Sequence, residues 1–330
     1  MKLKPLYTML SGCLLFVFGC SEDSLLPKQA AFFMPSVSVN SLKPKALAII
    51  KQQLNDPSAY LRSHAIEVAA ETGQKQFMPQ ILERLSDPIV AVRFAAAVAV
   101  GDMHCIPCEK NLLPLLNDAN ENVRIAASYS LLRLGNSKSK DVLYQGLNSP
   151  NETVRGNSVF LVGKLGNQGD LELLYQVLHD DQAVESIKFQ AVESIAKLGD
   201  LEIYRSKIWP MLISKYADDR VMGIRAMGAL GSYEAEVAVQ TMLQDDLVEV
   251  RLTAAEQLGR MNDDSGRQEV IKYFESKPDM DESKMANQMA VLAIGRIGGK
   301  ELECRLEGLL TSKSKLIQLS SAQSVLLLCR

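Results

Sequence analysis

Ser86-Asp87-Pro88-Ile89-Val90-Ala91-Val92-Arg93 is one copy of a phrase that runs through most of the chain. Other copies are Asn55-Asp56-Pro57 leading to Leu61-Arg62, Asn117-Asp118 leading to Val123-Arg124, and Ser149-Pro150 leading to Val154-Arg155. Weaker copies end at Ile187-Lys188, Asp219-Arg220, Val250-Arg251 and Ala286-Asn287. Successive basic positions stand 31, 31, 31, 33, 32, 31 and 36 residues apart, and a degenerate ninth copy near Leu316-Ile317 follows 30 residues on. A period held over seven intervals marks a repeat array.

Each copy reads as a helical hairpin. Apolar residues at helical spacing, such as Ile81-Leu82 with Leu85 or Leu112-Leu113 with Leu115-Leu116, precede the Asp or Ser and form helix A. Asp87 is then expected to cap helix B, with Pro88 in the first turn, where no backbone donor is lost. Val92, Ala96 and Val100 share one face of helix B. Small residues in its middle (Ala96, Ala127, Ser158, Ala191, Ala254, Ala290) let neighbouring helices approach closely. Glycines near its end supply a left-handed residue: Gly73, Gly135, Gly163 and Gly166, Gly199, Gly228 and Gly231, Gly259, Gly295 and Gly298. One hairpin cannot bury its apolar face alone, so the copies must stack. The fold class expected is all-α: an α-solenoid of about eight to nine hairpins over residues 42–330.

This pattern resembles the HEAT-like family, specifically the short repeats of about 31 residues also found in phycobilisome lyases. Pro79, Pro114 and Pro210, in or near helix A, add to the likeness. The resemblance implies a right-handed superhelix with B helices on its concave side. It also implies a stacked polar ladder, drawn from Asp56, Asp87, Asp118, Asp180, Asp218 and Asp245 with Arg62, Arg93, Arg124, Arg155, Lys188, Arg220 and Arg251. Ser149 and Asn287 interrupt it. Such a ladder is structural and not a catalytic cluster.

Composition agrees with a folded chain. Of 330 residues, 47% are hydrophobic and 23% charged, which excludes disorder as the main state. Aromatics at 6% with a single Trp argue against a β-sandwich. A net charge of −3 gives no reason to expect nucleic acid as a partner. Six cysteines are too few for a disulfide-built scaffold of this size.

The N-terminus reads as an export signal. Lys2 and Lys4 precede an apolar run, Leu6 to Phe18, that is too short to span a bilayer. The run ends in Val17-Phe18-Gly19-Cys20, which resembles the bacterial lipobox. That resemblance implies removal of residues 1–19 and acylation at Cys20, palmitate being one such acyl group; an ordinary secretory signal with an incidental Cys20 is the alternative. Ser21, where an Asp favours retention at the inner membrane, resembles the outer-membrane-sorted class. Residues 20–41 show no helical or strand period and read as a lipidated tether. The expected location is the cell envelope, facing the periplasm.

Little in the sequence carries chemistry. His64, His104 and His179 fall in different repeats and read as surface or inter-repeat polar residues. Gly295-Arg296-Ile297-Gly298-Gly299-Lys300 lacks the spacing of a phosphate loop and the hydroxyl residue after its Lys. Cys105-Ile106-Pro107-Cys108 leaves three alternatives: a local disulfide, free thiols, or a metal or redox pair. An oxidising compartment favours the disulfide. Cys304 and Cys329 form a weaker candidate pair. No cofactor or metal site is expected.

Two columns of helix B carry the expectation of a binding surface. The first reads Phe94, Ile125, Gly156, Phe189, Val221, Leu252; the second reads Val98, Tyr129, Phe160, Glu193, Arg225, Glu256. Phe94, Ile125, Tyr129, Phe160 and Phe189 therefore read either as a partner-binding stripe on the concave face or as packing against the next helix B. A third column, Arg133, Lys164, Lys197, Arg260 and Arg296, reads as compensation of helix dipoles, with an anion-binding groove as the alternative. The function expected is that of a non-enzymatic envelope lipoprotein whose solenoid holds a protein partner as a scaffold or assembly factor. An enzyme or enzyme subunit like the bilin lyases is the alternative.

Overall fold

The computed structural model describes residues 38–282 and 284–330; the expected signal, Cys20 and most of the tether lie outside them. Among the described residues, nine helical hairpins follow one another, and the first begins at Val39. The B helices are Ala59–Glu71, Val90–Asp102, Glu121–Arg133, Glu152–Leu165, Glu185–Lys197, Ala217–Leu230, Val248–Arg260, Met285–Ile297 and Lys315–Leu328. The A helices after the first are shorter, such as Met78–Arg84 and Leu171–Leu178. Pro79 and Pro210 lie in the first turn of theirs, while Pro114 opens a 3₁₀ segment. There a missing backbone donor costs nothing.

Each B helix packs on the next, with Val92, Val123, Val154, Ile187, Val250 and Ile317 buried between the layers. Three pairs show how close the approach is. A Cβ added at Gly101, Gly163 or Gly295 would fall within 3 Å of Ser130, Ser194 or Ser324, respectively. The same serines donate to carbonyls one helix back: Ser130 to Ala97, Ser194 to Val159, Ser324 to Val291. These glycines are therefore packing residues inside helices and not terminators. The left-handed terminal seats belong to Gly73, Gly135, Gly166, Gly199 and Gly231, and to two residues that are not glycine, His104 and Asn262.

The polar ladder has a specific geometry. Arg62 makes two hydrogen bonds to Asp87 of the following repeat, at 2.9 and 2.8 Å. Arg93 does the same to Asp118, and Arg220 to Asp245. Each Arg also donates to the backbone carbonyl six residues before it, as Arg93 does to Asp87 O at 2.9 Å. Each Asp accepts the backbone N–H two residues on, as Asp87 does from Ile89 at 3.0 Å. Asp87 is thus the head of an Asx turn ahead of helix B, and Ile89 holds the N-cap seat. The aspartate side chain reaches its own backbone sooner than it reaches the helix.

The ladder differs from expectation at three rungs. Asp218 lies exposed in the first turn of its helix, and Ser214 fills the rung, its carbonyl accepting from Arg220 at 3.0 Å. Lys188 pairs locally with Glu185 instead of crossing to the next repeat. Arg251 finds Glu269 at 2.5 Å in place of an aspartate.

The solenoid's two ends meet. The last B helix, Lys315–Leu328, packs against the first A helix, Val39–Gln53. Gln53 Nε2 donates to Lys315 O at 2.9 Å. Lys315 Nζ, in turn, pairs with Asp56, so a ladder carboxylate of the first repeat is held from the ninth. The array is a closed ring with the B helices as its inner wall.

Candidate functional site

Ring closure turns the expected concave groove into a lumen. The inner wall carries three layers, set by every fourth residue along each B helix. Phe94, Val98 and Asp102 show the spacing in the second repeat, and Glu185–Lys197 shows it with Phe189, Glu193 and Lys197.

Among the aromatic candidates, Phe94 and Phe160 are half-buried and line one lumen cavity of about 500 Å³. Phe189 is half-buried against the core and borders neither this cavity nor a second lumen cavity of about 530 Å³. Ile125 and Tyr129 are fully buried and have no surface to offer a partner. Tyr129 is held there by its hydroxyl, which donates to Asp102 Oδ1 at 2.6 Å. Burial, with the Asp102 carboxylate beside it, pushes that phenol above its ordinary range. Asp102 and Lys164 of the flanking repeats lie against Tyr129, and Ile125 packs toward Gly146 of the next hairpin, so the stripe read from the sequence is broken at its centre.

The third column forms the lumen's charged floor. Lys164 pairs with Asp102, two repeats away, and sits over the rings of Tyr129 and Phe160. Glu71, on the neighbouring B helix, is a second hub of the floor. It accepts from Arg260 at 3.3 Å, from Arg296, and from Gln323 at 2.8 Å, while its carbonyl accepts from Arg330. Glu256, itself buried, accepts from Arg260 at 2.6 Å. The bonds from Arg260 and Arg296 to Glu71, like that from Lys164 to Asp102, join repeats that are not neighbours, so the column does more than offset helix dipoles. Glu71 and Asp102 occupy the same register as the five cations, so their signs could have been read as complementary. Which acid meets which cation depends on closure.

Elsewhere, Cys105 and Cys108 are disulfide-bonded with their Cα atoms 5.3 Å apart, in the turn that opens the third repeat. Cys304 and Cys329 are free. His64 stacks on Tyr60 and His179 on Tyr175. No group of three or more His, Cys, Asp or Glu among the described residues is placed to hold a metal. No described helix is long and apolar enough to cross a membrane.

Residues 47–104 and 109–201 match the family described as HEAT repeats, and the fold is an α-solenoid of stacked helical hairpins. No curated protein matches the chain in sequence. Solved structures it resembles include the CpcE–CpcF complex of phycocyanin lyase from a Nostoc species. That likeness has 17% identity and a TM-score of 0.43, covering 76% of this chain and 98% of that one. Human deoxyhypusine hydroxylase is similar at 17% identity and a TM-score of 0.37, covering 78% of this chain and 98% of that one. Kap121p is similar at 14% identity and a TM-score of 0.37, covering 84% of this chain and 37% of that one. At these identities and scores the likenesses transfer no activity or partner to this chain.

Proposed function

We propose that the protein is a non-enzymatic, lipid-anchored component of the bacterial cell envelope, facing the periplasm from the outer membrane, and that its HEAT-repeat ring binds a protein partner as a scaffold or assembly factor. The lipobox-like end of the N-terminal segment supports the anchor, and the Cys105–Cys108 disulfide suits an oxidising compartment.

One observation carries the partner reading. Large apolar side chains are exposed together on the outer helices of the sixth and seventh repeats. Leu201 in the turn before one outer helix, Trp209 in its last turn and Ile213 just after it are exposed, as are Tyr233 and Val237 on the next outer helix. Ile213 is 71% and Tyr233 75% exposed. Tyr204 ties the two helices together through its hydroxyl on Glu234 O. Clustered exposed apolar residues of this kind mark interaction surfaces on soluble domains, and Trp and Tyr are the usual anchors. The lumen is a poor seat for a folded partner, because ion pairs cross its floor. The partner surface therefore lies on the ring's outer wall rather than its inner one.

Three measurements test the proposal. Palmitate labelling of the wild type and of Cys20→Ala checks the anchor, and label that does not depend on Cys20 sinks it. Photo-cross-linking from Trp209 and Tyr233 in intact cells checks the surface, with Leu113 on another outer helix as the control. A single adduct from the first two and none from Leu113 is expected; equal adducts from all three, or none, would overturn the surface. Trp209→Ala with Tyr233→Ala should weaken capture by about 2 kcal/mol or more.

A further inference from the structure

Two cavities, of about 530 and 500 Å³, open on the inner wall and share Lys197 and Arg260. Volumes of this size suit small molecules. The second cavity has an apolar wall, built by Phe94, Val98 and Phe160 from the second and fourth repeats, above a floor carrying Lys164, Lys197 and Arg260.

The floor's cations are not equivalent. Lys164 is engaged by Asp102, and Arg260 by Glu71 and Glu256. Lys197 alone of these three has no ion pair or hydrogen bond among the described residues. Its nearby acid Glu193 faces Arg225 at 3.6 Å. The Lys197 side chain is open to the lumen yet enclosed by the ring. Desolvation there, with the Lys164 charge adding to it, holds its ammonium below the ordinary lysine range. An unpaired cation that lines the same cavity as two phenyl rings lacks one thing: a single negative charge on an apolar body. A dianion fits less well, because Glu71, Asp102 and Glu193 stand close by and would repel its second charge.

We propose that the lumen binds one small amphiphilic carboxylate, its apolar or aromatic body against Phe94, Val98 and Phe160 and its carboxylate on Lys197. The site is separate from the outer-wall partner surface and stands or falls independently of it.

Calorimetric titration of the purified full-length protein with 2-naphthoate and with its uncharged twin 2-naphthamide tests the site. Naphthoate should bind one per chain, at least tenfold more tightly than the amide. Lys197→Met should weaken naphthoate at least tenfold, leaving the amide and the melting temperature unchanged, and Lys197→Arg should keep most of the affinity. Phe160→Ala should weaken both probes alike. No binding of naphthoate, equal binding of acid and amide, or a Lys197→Met variant that binds like wild type each overturns the proposal. Should Lys197→Met fail to fold, the acid-against-amide comparison in wild type and in Lys197→Arg decides it.

Discussion

Lys315 Nζ in the ninth repeat lies 2.5 Å from Asp56 Oδ2 in the first. Asp56 is buried, and the cation replaces the Arg that the preceding repeat supplies to Asp87 and Asp118. The closing contact of the ring is thus a ladder rung made with a different side chain.

That rung has a measurable weight. Asp56→Ala removes a buried carboxylate that accepts from both Lys315 and the Ser58 N–H, and should cost about 2 kcal/mol. Lys315→Met should cost about 1 kcal/mol, because the lysine side chain is half exposed and water replaces part of the pair. Urea unfolding of both variants checks this; two neutral results would mean that closure adds no stability.

The internal rungs predict a pH dependence. Burial pushes the Asp118 carboxyl upward, but the Arg93 hydrogen bonds and the Asn120 N–H outweigh it, and the net shift is downward. A carboxylate lowered in the fold adds stability above its unfolded pKa of about 3.9, and that stability is lost as pH falls through the lower folded value. Arg93→Ala should therefore cost about 2–3 kcal/mol at pH 7, and its deficit should shrink once the pH drops below 4. Denaturant midpoints at pH 7 and pH 3 measure both; a deficit unchanged across that range rules out the charge-based account.

Two glycines should respond differently to the same change. At Gly73 the backbone is left-handed, φ 69°, and a Cβ would meet nothing within 4 Å, so Gly73→Ala should cost about 1 kcal/mol of backbone strain alone. At Gly163 the Cβ would fall 2.4 Å from Ser194 Cβ, so Gly163→Ala should cost about 2–3 kcal/mol by pushing two helices apart. His104 holds a left-handed seat at φ 55° with a full side chain, and His104→Gly should raise stability by up to about 1 kcal/mol. Thermal melts rank the three. A Gly163→Ala no worse than Gly73→Ala would show that the helices have room.

Tyr129 separates packing from recognition. Tyr129→Ala should cost about 3–5 kcal/mol, as for other large buried rings, and Tyr129→Phe about 1–2 kcal/mol for the lost bond to Asp102. A stable, folded Tyr129→Ala would show that this part of the wall is surface after all.

The repeat was legible because its determinants are local. The Asp-to-Arg spacing, the apolar face and the small residues at the helix crossings each act within one hairpin or between neighbours. Closure was not legible, because it depends on a small rotation per repeat accumulated over nine. With closure hidden, Glu71 and Asp102 could not be paired with cations several repeats away. The aromatic columns were legible as positions but not as surfaces. Tyr129 and Phe160 share a register, yet Tyr129 is buried against Asp102 and Lys164 while Phe160 lines a cavity. The roles of Gly163 and Gly166 were similarly merged, because both sit near a helix end and only backbone geometry separates the packing residue from the terminator.

Joining the first repeat to the ninth changes how the molecule can come apart. An open array can fray from either terminus, each lost unit forfeiting a single interface. Here the first unit to melt must give up two, so partial unfolding is penalised from the start and the transition should be steeper than in a linear stack of equal length. The cost falls on assembly. Asp56 and Lys315 are separated by 259 positions in the chain, so the contact that seals the circle pays a large loop-closure entropy and should form late.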